Sequence, residues 1–329
     1  MSRVFEDKPA VRERVPLLVG ITGTSGSGKS YSALRLATGM QRVIGGDIFF
    51  CDSEARRGLH YADKFKFRHV DFQPPFGPLD YLAAIEFCVS KGAKVIVVDQ
   101  LTNEHSGEGG VLDQIDKFLD EKCGDDEGKR RRMQMMAQIK PKAQRKRLNS
   151  RIVQLGVDMI FCYRAQEKVK PVPGKEPEKL GWQPDTTSPL FYDMTVRFLL
   201  APGADGKPTV TPQQEAEKLA VKTPEMFRGW FGPGMQLDEA LGEKLARWAS
   251  GDSPEPSNDR ALEELISAIE MAPDAQALET VLARARGQKW SKHEGLAIGV
   301  AKERRAVELS AQREKRFTAH EKASPRRDR

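Results

Sequence analysis

Cysteine is scarce in this chain of 329 residues. The four present, Cys51, Cys88, Cys123 and Cys162, form no CxxC pair and have no histidine at ligand spacing. That excludes a disulfide framework and a zinc site built on cysteine, and leaves reduced, buried thiols as the expectation. Long apolar runs are also missing: Val15 to Ile21 and Val95 to Val98 fall far short of the roughly 18 to 20 residues that cross a bilayer. The opening MSRVFEDKPAVRERV mixes both charge signs and lacks the apolar core of a secretory signal, so no membrane partner and a cytoplasmic location are expected. The five histidines are scattered without HxH or HxxxH spacing, which favours surface or capping roles over catalysis. Charge of one sign does not dominate either, because 53 Lys+Arg face 47 Asp+Glu for a formal +6.

At 39% hydrophobic and 30% charged residues, the chain can bury a sizeable core in one large domain or two smaller ones. Short apolar runs end in polar residues: Leu17 to Thr22 before a Gly/Ser loop, Ile48 to Cys51 before Asp52, Val95 to Val98 before Asp99, and Met159 to Tyr163 before Arg164. Helical patterns lie between them, from about Gly28 to Met40, Tyr81 to Ser90 and Lys142 to Leu155. Strands alternating with helices predict an α/β fold, a mainly parallel sheet flanked by helices, with ligands at the C-terminal strand ends. Residues 1–14 read as an N-terminal arm and 15–249 as the core with its C-terminal extension. Within that core, Glu167 to Pro189 reads as a long proline-rich loop, Phe191 to Leu200 as a strand, Val210 as the start of another, and a helix begins at Leu237. Residues 250–259, SGDSPEPSND, read as a linker. A small helical domain over 260–310 should follow, with Asp274 as an N-cap and Ser291 with Glu294 as a capping box, and then a charged tail over 311–329 that frays.

Gly23-Thr24-Ser25-Gly26-Ser27-Gly28-Lys29-Ser30, followed by Tyr31, satisfies G-x-x-x-x-G-K-[ST] directly after a strand and at the start of a helix. In such a loop backbone N–H groups point at phosphates, the lysine reaches the β- and γ-phosphates, and the serine hydroxyl ligates Mg²⁺. ATP with Mg²⁺ is the implied pair, with Tyr31 included in the nucleotide-binding stretch. Asp99 closes a buried strand at the position that holds Mg²⁺ in nucleotide-hydrolysing P-loop proteins. Glu54, just past the next strand, could polarise a water for attack, although a glutamate near Arg56 and Arg57 could also be a plain ion pair.

The combination of IFFCDSEARRGLHYAD, VIVVDQLT and MIFCYRAQEK with that loop resembles the ATPase core of the RecA family over roughly Val15 to Val210. The resemblance implies Lys29 as a catalytic cation, Glu54 as general base, Asp99 as the Mg²⁺ carboxylate, and Arg164 at the place of a γ-phosphate sensor, with Gln166 as a second candidate. It sets the loop Glu167 to Pro189, with Lys168 and Lys170, where that family binds DNA. No counterpart of the large N-terminal helical domain of full-length recombinases is present. Nor is there a clear match to the lysine pair that completes their site from a neighbouring subunit. The shortened chain is most similar to minimal bacteriophage RecA-like ATPases of recombination and single-strand annealing. The resemblance implies single-stranded DNA as partner, a homo-oligomeric ring or filament with Val4 and Phe5 offering an exchangeable contact, a single-strand DNA-binding protein as a further partner, and the bacterial host cytosol as location.

Lys129 to Arg151 holds ten Lys/Arg and no Asp or Glu. Leu148, Ile152 and Leu155 form its apolar face, which predicts that Arg145, Lys146 and Arg147 turn outward as DNA-binding candidates through charge; a merely solvated face is the alternative. Lys302 to Arg329 adds ten basic and five acidic residues, either an anchor or a solubilising tail. With those two segments removed, the rest of the chain is net acidic. Two other classes fit the P-loop: a kinase acting on a small acceptor, and a non-hydrolysing loader or assembly factor that grips a protein partner.

Overall fold

In a computed structural model of the chain, the described residues are 7, 9–174, 176–227, 229–232, 234–251, 259–287, 290 and 292–323. The Val4 and Phe5 contact, most of the 250–259 linker, and Ser291 lie outside them. The chain divides into two compact units, Met1–Ser253 and Pro254–Arg329.

The first unit runs β1 (Leu18–Gly23), α1 (Lys29–Ile44), β2 (Ile48–Asp52), β3 (Arg68–Asp71), α2 (Pro78–Ser90), β4 (Val95–Asp99), α3 (Asn103–Ser106), α4 (Val111–Cys123), α5 (Glu127–Ala137), α6 (Ile139–Ile152), β5 (Asp158–Lys170), β6 (Glu178–Pro184), α7 (Leu190–Asp193), β7 (Val196–Leu200), α8 (Glu215–Ala220) and α9 (Glu239–Ala249). The strands form one sheet in the order β3-β2-β4-β5-β1-β7, with β6 paired to β5 off that path. All neighbours on the main path pair in parallel. Strands β1, β2, β4 and β7 are buried along their whole length, as expected for a sheet covered on both faces. On one face Leu34, Leu36 and Met40 of α1 pack with Leu241 and Leu245 of α9. On the other, Tyr81 and Ile85 of α2 pack with Leu148 and Ile152 of α6. Removal of that apolar surface from water, at about 25 cal/mol per Å², is the main force holding both layers. All four cysteines are free and buried, with Cys51 and Cys88 sulfurs 3.4 Å apart.

The sequence-based expectations need several corrections. The proprolific stretch after Arg164 is no open loop: β5 continues to Lys170 and returns antiparallel as β6, with a register shift between Lys168 and Val169. Prolines at 171, 173 and 177 sit in the turn between the two strands, where a missing N–H costs no ladder bond. Phe191 belongs to the short α7, and β7 starts only at Val196 and does not alternate, because both its faces are covered. No strand forms at Val210. Strand β3 and helix α5 carry weak periodicity, whereas α4 buries Val111, Ile115, Leu119 and Cys123 at a spacing of four; none of the three is among the expected elements. Residues of the arm lie against the core: the Arg12 guanidinium donates to the Trp248 carbonyl at 2.7 Å, and Val15 N–H donates to Ala249.

The second unit contains α10 (Asp259–Met271), α11 (Ala275–Arg286) and α12 (Lys292–Ala323) around Ile269, Leu278, Leu282 and Ile298. Asp274 caps α11 by accepting the Ala277 N–H at 2.8 Å. Helix α12 runs past Ser310, where fraying was expected.

Candidate nucleotide-binding site

The sheet order brings the site together. Strand β5 lies between β1, which carries the glycine loop, and β4, which ends in Asp99. The C-terminal ends of β1, β2, β4 and β5 therefore open on one cleft of about 680 Å³, lined by Ser25, Gly26, Gly28, Lys29, Ser30, Glu54, Asp99, Gln100 and Arg164 among others.

The loop from Gly23 turns into α1 through Gly28, whose φ of 89° lies in the left-handed region. A Cβ there would also stand 3.3 Å from the Gly206 nitrogen, so only glycine passes both tests. Helix α1 has no side-chain cap and no acidic residue in its first turn. Its free N–H groups and the positive end of its dipole consequently face the cleft without internal compensation. Lys29 is buried and its Nζ donates to the Thr24 carbonyl at 2.8 Å, across the mouth of the loop. This is a cradle for an anion of phosphate type.

The Ser30 hydroxyl donates to Asp99 Oδ2 at 2.7 Å. Burial pushes the Asp99 carboxyl up to about 6; the Ser30 hydrogen bond opposes this, and the nearby Glu54 charge reinforces it. A carboxylate held so far from comfort is one that a cation would stabilise. Among the described residues no group of three or more His, Cys, Asp and Glu side chains could hold a metal alone. The donor set fits Mg²⁺, which keeps waters and takes one or two protein oxygens together with substrate phosphates.

Glu54 stands opposite. Gln100 Nε2 donates to its Oε1 at 3.1 Å and Arg164 Nη2 at 2.9 Å. Burial pushes this carboxyl up, but the hydrogen bonds from Arg164 and Gln100 and the charges of Arg164 and Lys29 outweigh it, and the net direction is down. Glu54 is therefore ionised at neutral pH. Its ion pair is with Arg164, and neither Arg56 nor Arg57 reaches it.

Why Glu54 points there is decided by Asp52, fully buried at the end of β2. Its carboxylate accepts the N–H of Glu54 at 2.9 Å and of Gly58 at 2.8 Å, and lies 3.0 Å from His69 Nε2. That brace holds Ala55 and Arg56 at φ of 54° and 66°, left-handed angles that non-glycine residues avoid. Gln100, next to Asp99, escaped sequence reasoning. It is 2% exposed, its backbone is gripped by the Ser53 and Tyr81 hydroxyls, and its Oε1 has no hydrogen-bond partner. Its polar position immediately after the acid was the available signal.

Of the residues expected at the site, Ser25, Gly26, Gly28, Lys29, Ser30, Glu54, Asp99 and Arg164 line the cleft, while Gly23, Thr24 and Ser27 belong to the loop but not to that lining. Tyr31 points beside it, its ring edge-on to Tyr61 and Phe65 at 5.9 and 5.2 Å. Lys168 and Lys170 are exposed on the β5–β6 hairpin, away from the phosphate cradle, while Gln166 lies on the same arm. Arg145 corrects the expectation of an outward cation. It is 7% exposed and pairs through two 2.8 Å hydrogen bonds with the buried Glu104 of α3. The apolar face of α6 was assigned correctly, but an ion pair with α3 claims the position beside it. Lys146 and Arg147 are exposed as expected.

Parallel order, a strand inserted between the glycine-loop strand and the strand of Asp99, the glycine loop and the paired Ser30–Asp99 together define an α/β fold of the P-loop type. No family model matches the sequence. No curated protein matches it either. Among solved structures, the KaiC-like protein PH0186 from the hyperthermophilic archaeon Pyrococcus horikoshii OT3 is similar at 16% identity, over 58% of this chain and 80% of that one, with a TM-score of 0.30. The fold assignment rests on the strand order and not on that likeness. No helix of the described residues is long and apolar enough to cross a membrane.

Proposed function

We propose that the chain is a Mg²⁺-dependent ATPase that binds single-stranded DNA and couples nucleotide turnover to recombination or strand annealing, in the manner of the minimal phage RecA-like enzymes. The observation that carries the hydrolytic part is the Glu54 carboxylate lining the same cleft as Lys29 and Ser30, held there by Arg164 and Gln100. Loop amides and Lys29 hold the triphosphate, and Ser30 and Asp99 would hold Mg²⁺, which when bound supplies neutralising charge at the β- and γ-phosphate oxygens. Glu54 takes the proton from a water whose oxygen attacks the γ-phosphorus, and the bond to the β–γ bridging oxygen breaks to release ADP. The Gln100 Nε2 donor holds Glu54 Oε1 at 3.1 Å and so fixes the carboxylate that receives the proton. Arg164, once it turns from Glu54 to the phosphate, joins Lys29 in offsetting charge. Lys168 and Lys170 on the hairpin, with Lys146 and Arg147, are the contacts proposed for a DNA strand. A homo-oligomeric ring or filament in the cytoplasm and a single-strand DNA-binding protein complete the reading.

The test is phosphate release with and without an oligonucleotide, for the wild type and Glu54→Gln. Stimulation by DNA, lost in the variant, is expected. Turnover untouched by Glu54→Gln sinks the hydrolytic assignment, and phosphate transferred to a small acceptor would make the chain a kinase.

A further inference from the structure

Helices α5 and α6 are separated by one residue, Gln138, which itself keeps helical angles (φ −80°, ψ −16°), and Lys142 N–H donates to its carbonyl at 3.0 Å. Side-chain rows therefore continue from one helix into the next at spacings of three and four. The inner row is occupied: Met133 and Ala137 pack on Val111, Ile115 and Leu119 of α4, and Leu148 and Ile152 on the sheet. The opposite row reads Arg131, Met135, Ile139, Lys142, Lys146, with Arg132 beside the first. All are exposed, Met135 at 83% and Ile139 at 65%, more than a lone structural side chain needs. Arg131 reaches only Glu127, at 3.8 Å with both side chains 85% exposed, so that pair is screened. Arg132, Lys142 and Lys146 have no ion-pair partner among the described residues.

We infer that this ridge is a docking surface for a single nucleic-acid strand, with phosphates on Arg131, Arg132, Lys142 and Lys146 and base or sugar faces on Met135 and Ile139. The inference rests on the DNA-binding half of the proposed function and names where it acts. Charge complementarity selects the occupant. The ridge is convex, about 22 Å from Arg131 to Lys146 at 1.5 Å per residue. Its two apolar side chains are far from the roughly 800 Å² per partner that a stable protein interface buries. Three unpaired cations, with Arg131 held only in a screened surface pair, gain instead by displacing counterions from a polyanion, which needs no concavity. A flexible strand can follow such a convex edge, whereas an amphipathic helix needs a groove.

The test is fluorescence anisotropy of the full chain with a labelled oligothymidylate across a sodium chloride series. Arg131→Gln/Arg132→Gln/Lys142→Gln is expected to reduce the slope of log K against log[salt] by about 2, since each cation contributes about 0.7 on single strands. Met135→Ser/Ile139→Ser should weaken binding by about threefold to tenfold, through lost apolar contact, with the slope unchanged. ATP turnover without DNA should be unaltered in both, which shows that each variant is folded. If both variants bind as the wild type does, the ridge is overturned while the DNA-binding reading stands. Failure of the wild type to bind overturns both. Displacement of the strand by a polyglutamate peptide of equal charge, or a changed oligomer mass in the apolar variant, would give the ridge to a protein partner and overturn the assignment.

Discussion

Two bends meet at the cleft, and they are made in opposite ways. The loop Gly23 to Ser30 reaches its left-handed turn with glycine and leaves the start of α1 without a side-chain cap. The arch Ser53 to Gly58 reaches left-handed angles with Ala55 and Arg56 and has its key donors tied to Asp52. One bend is cheap in backbone energy and open to a ligand. The other is costly and closed on itself, so that a single carboxylate, Glu54, is held in place. The difference teaches that an open loop needs conformational permission, while a single side chain held in one place needs over-determination.

Breaking the arch at its product gives the largest effect. Glu54→Gln should lower ATP turnover by about a thousandfold, within the range for loss of a general base, with nucleotide affinity kept, as single-turnover and binding measurements would read. Breaking the arch at its brace comes next. Asp52→Asn leaves buried donors poorly matched, and urea unfolding should report a loss of about 2–3 kcal/mol together with reduced turnover. If stability drops while turnover stays, the brace is structural only.

The cradle is probed through Asp99. Its carboxyl titrates at about 6 in the fold, above an ordinary aspartate near about 4. Protonation is therefore favoured by folding. The stability it contributes is full below about pH 4 and is lost as pH rises towards 6, leaving a deficit above. Without nucleotide, Asp99→Asn should thus stabilise the chain at pH 8 by on the order of 1–3 kcal/mol, and thermal unfolding at pH 4 should show that gain gone. The smallest effect sharpens the contrast between the bends. Arg56→Gly, at φ 66°, should leave stability equal or raise it by up to about 1 kcal/mol, whereas Gly28→Ala, at φ 89°, should lower it by a similar amount and weaken nucleotide binding.

Legibility followed contiguity. The glycine loop, Asp99 and the buried strands were readable because their residues stand next to one another and their physical demands are local. Glu54 was readable as a candidate from its place after β2, but its partner was not, since Arg164 lies 110 residues away. Arg145 was misread because its burial depends on Glu104, which a helix period within α6 cannot report. The β5–β6 hairpin was missed because prolines and charges look like a loop when their strand-forming neighbours are exposed. Gln100 carried only the signal of a polar residue next to Asp99, and its contact with Glu54 lies 46 residues away in sequence.

Strand β5 serves two mechanical roles in one piece of backbone. Its first six residues are clamped between β1 and β4, and the last seven project with β6 as a stiff arm. Arg164 sits at the fulcrum, its N–H held by the Thr102 hydroxyl at 2.9 Å and its carbonyl by Asp185 N–H at 2.8 Å. Six residues at about 3.3 Å each make a lever of about 20 Å from there to Lys170. A tilt of about 10° at the Arg164 end would swing the tip through about 3.5 Å, so a small displacement beside the cleft is enlarged along the arm.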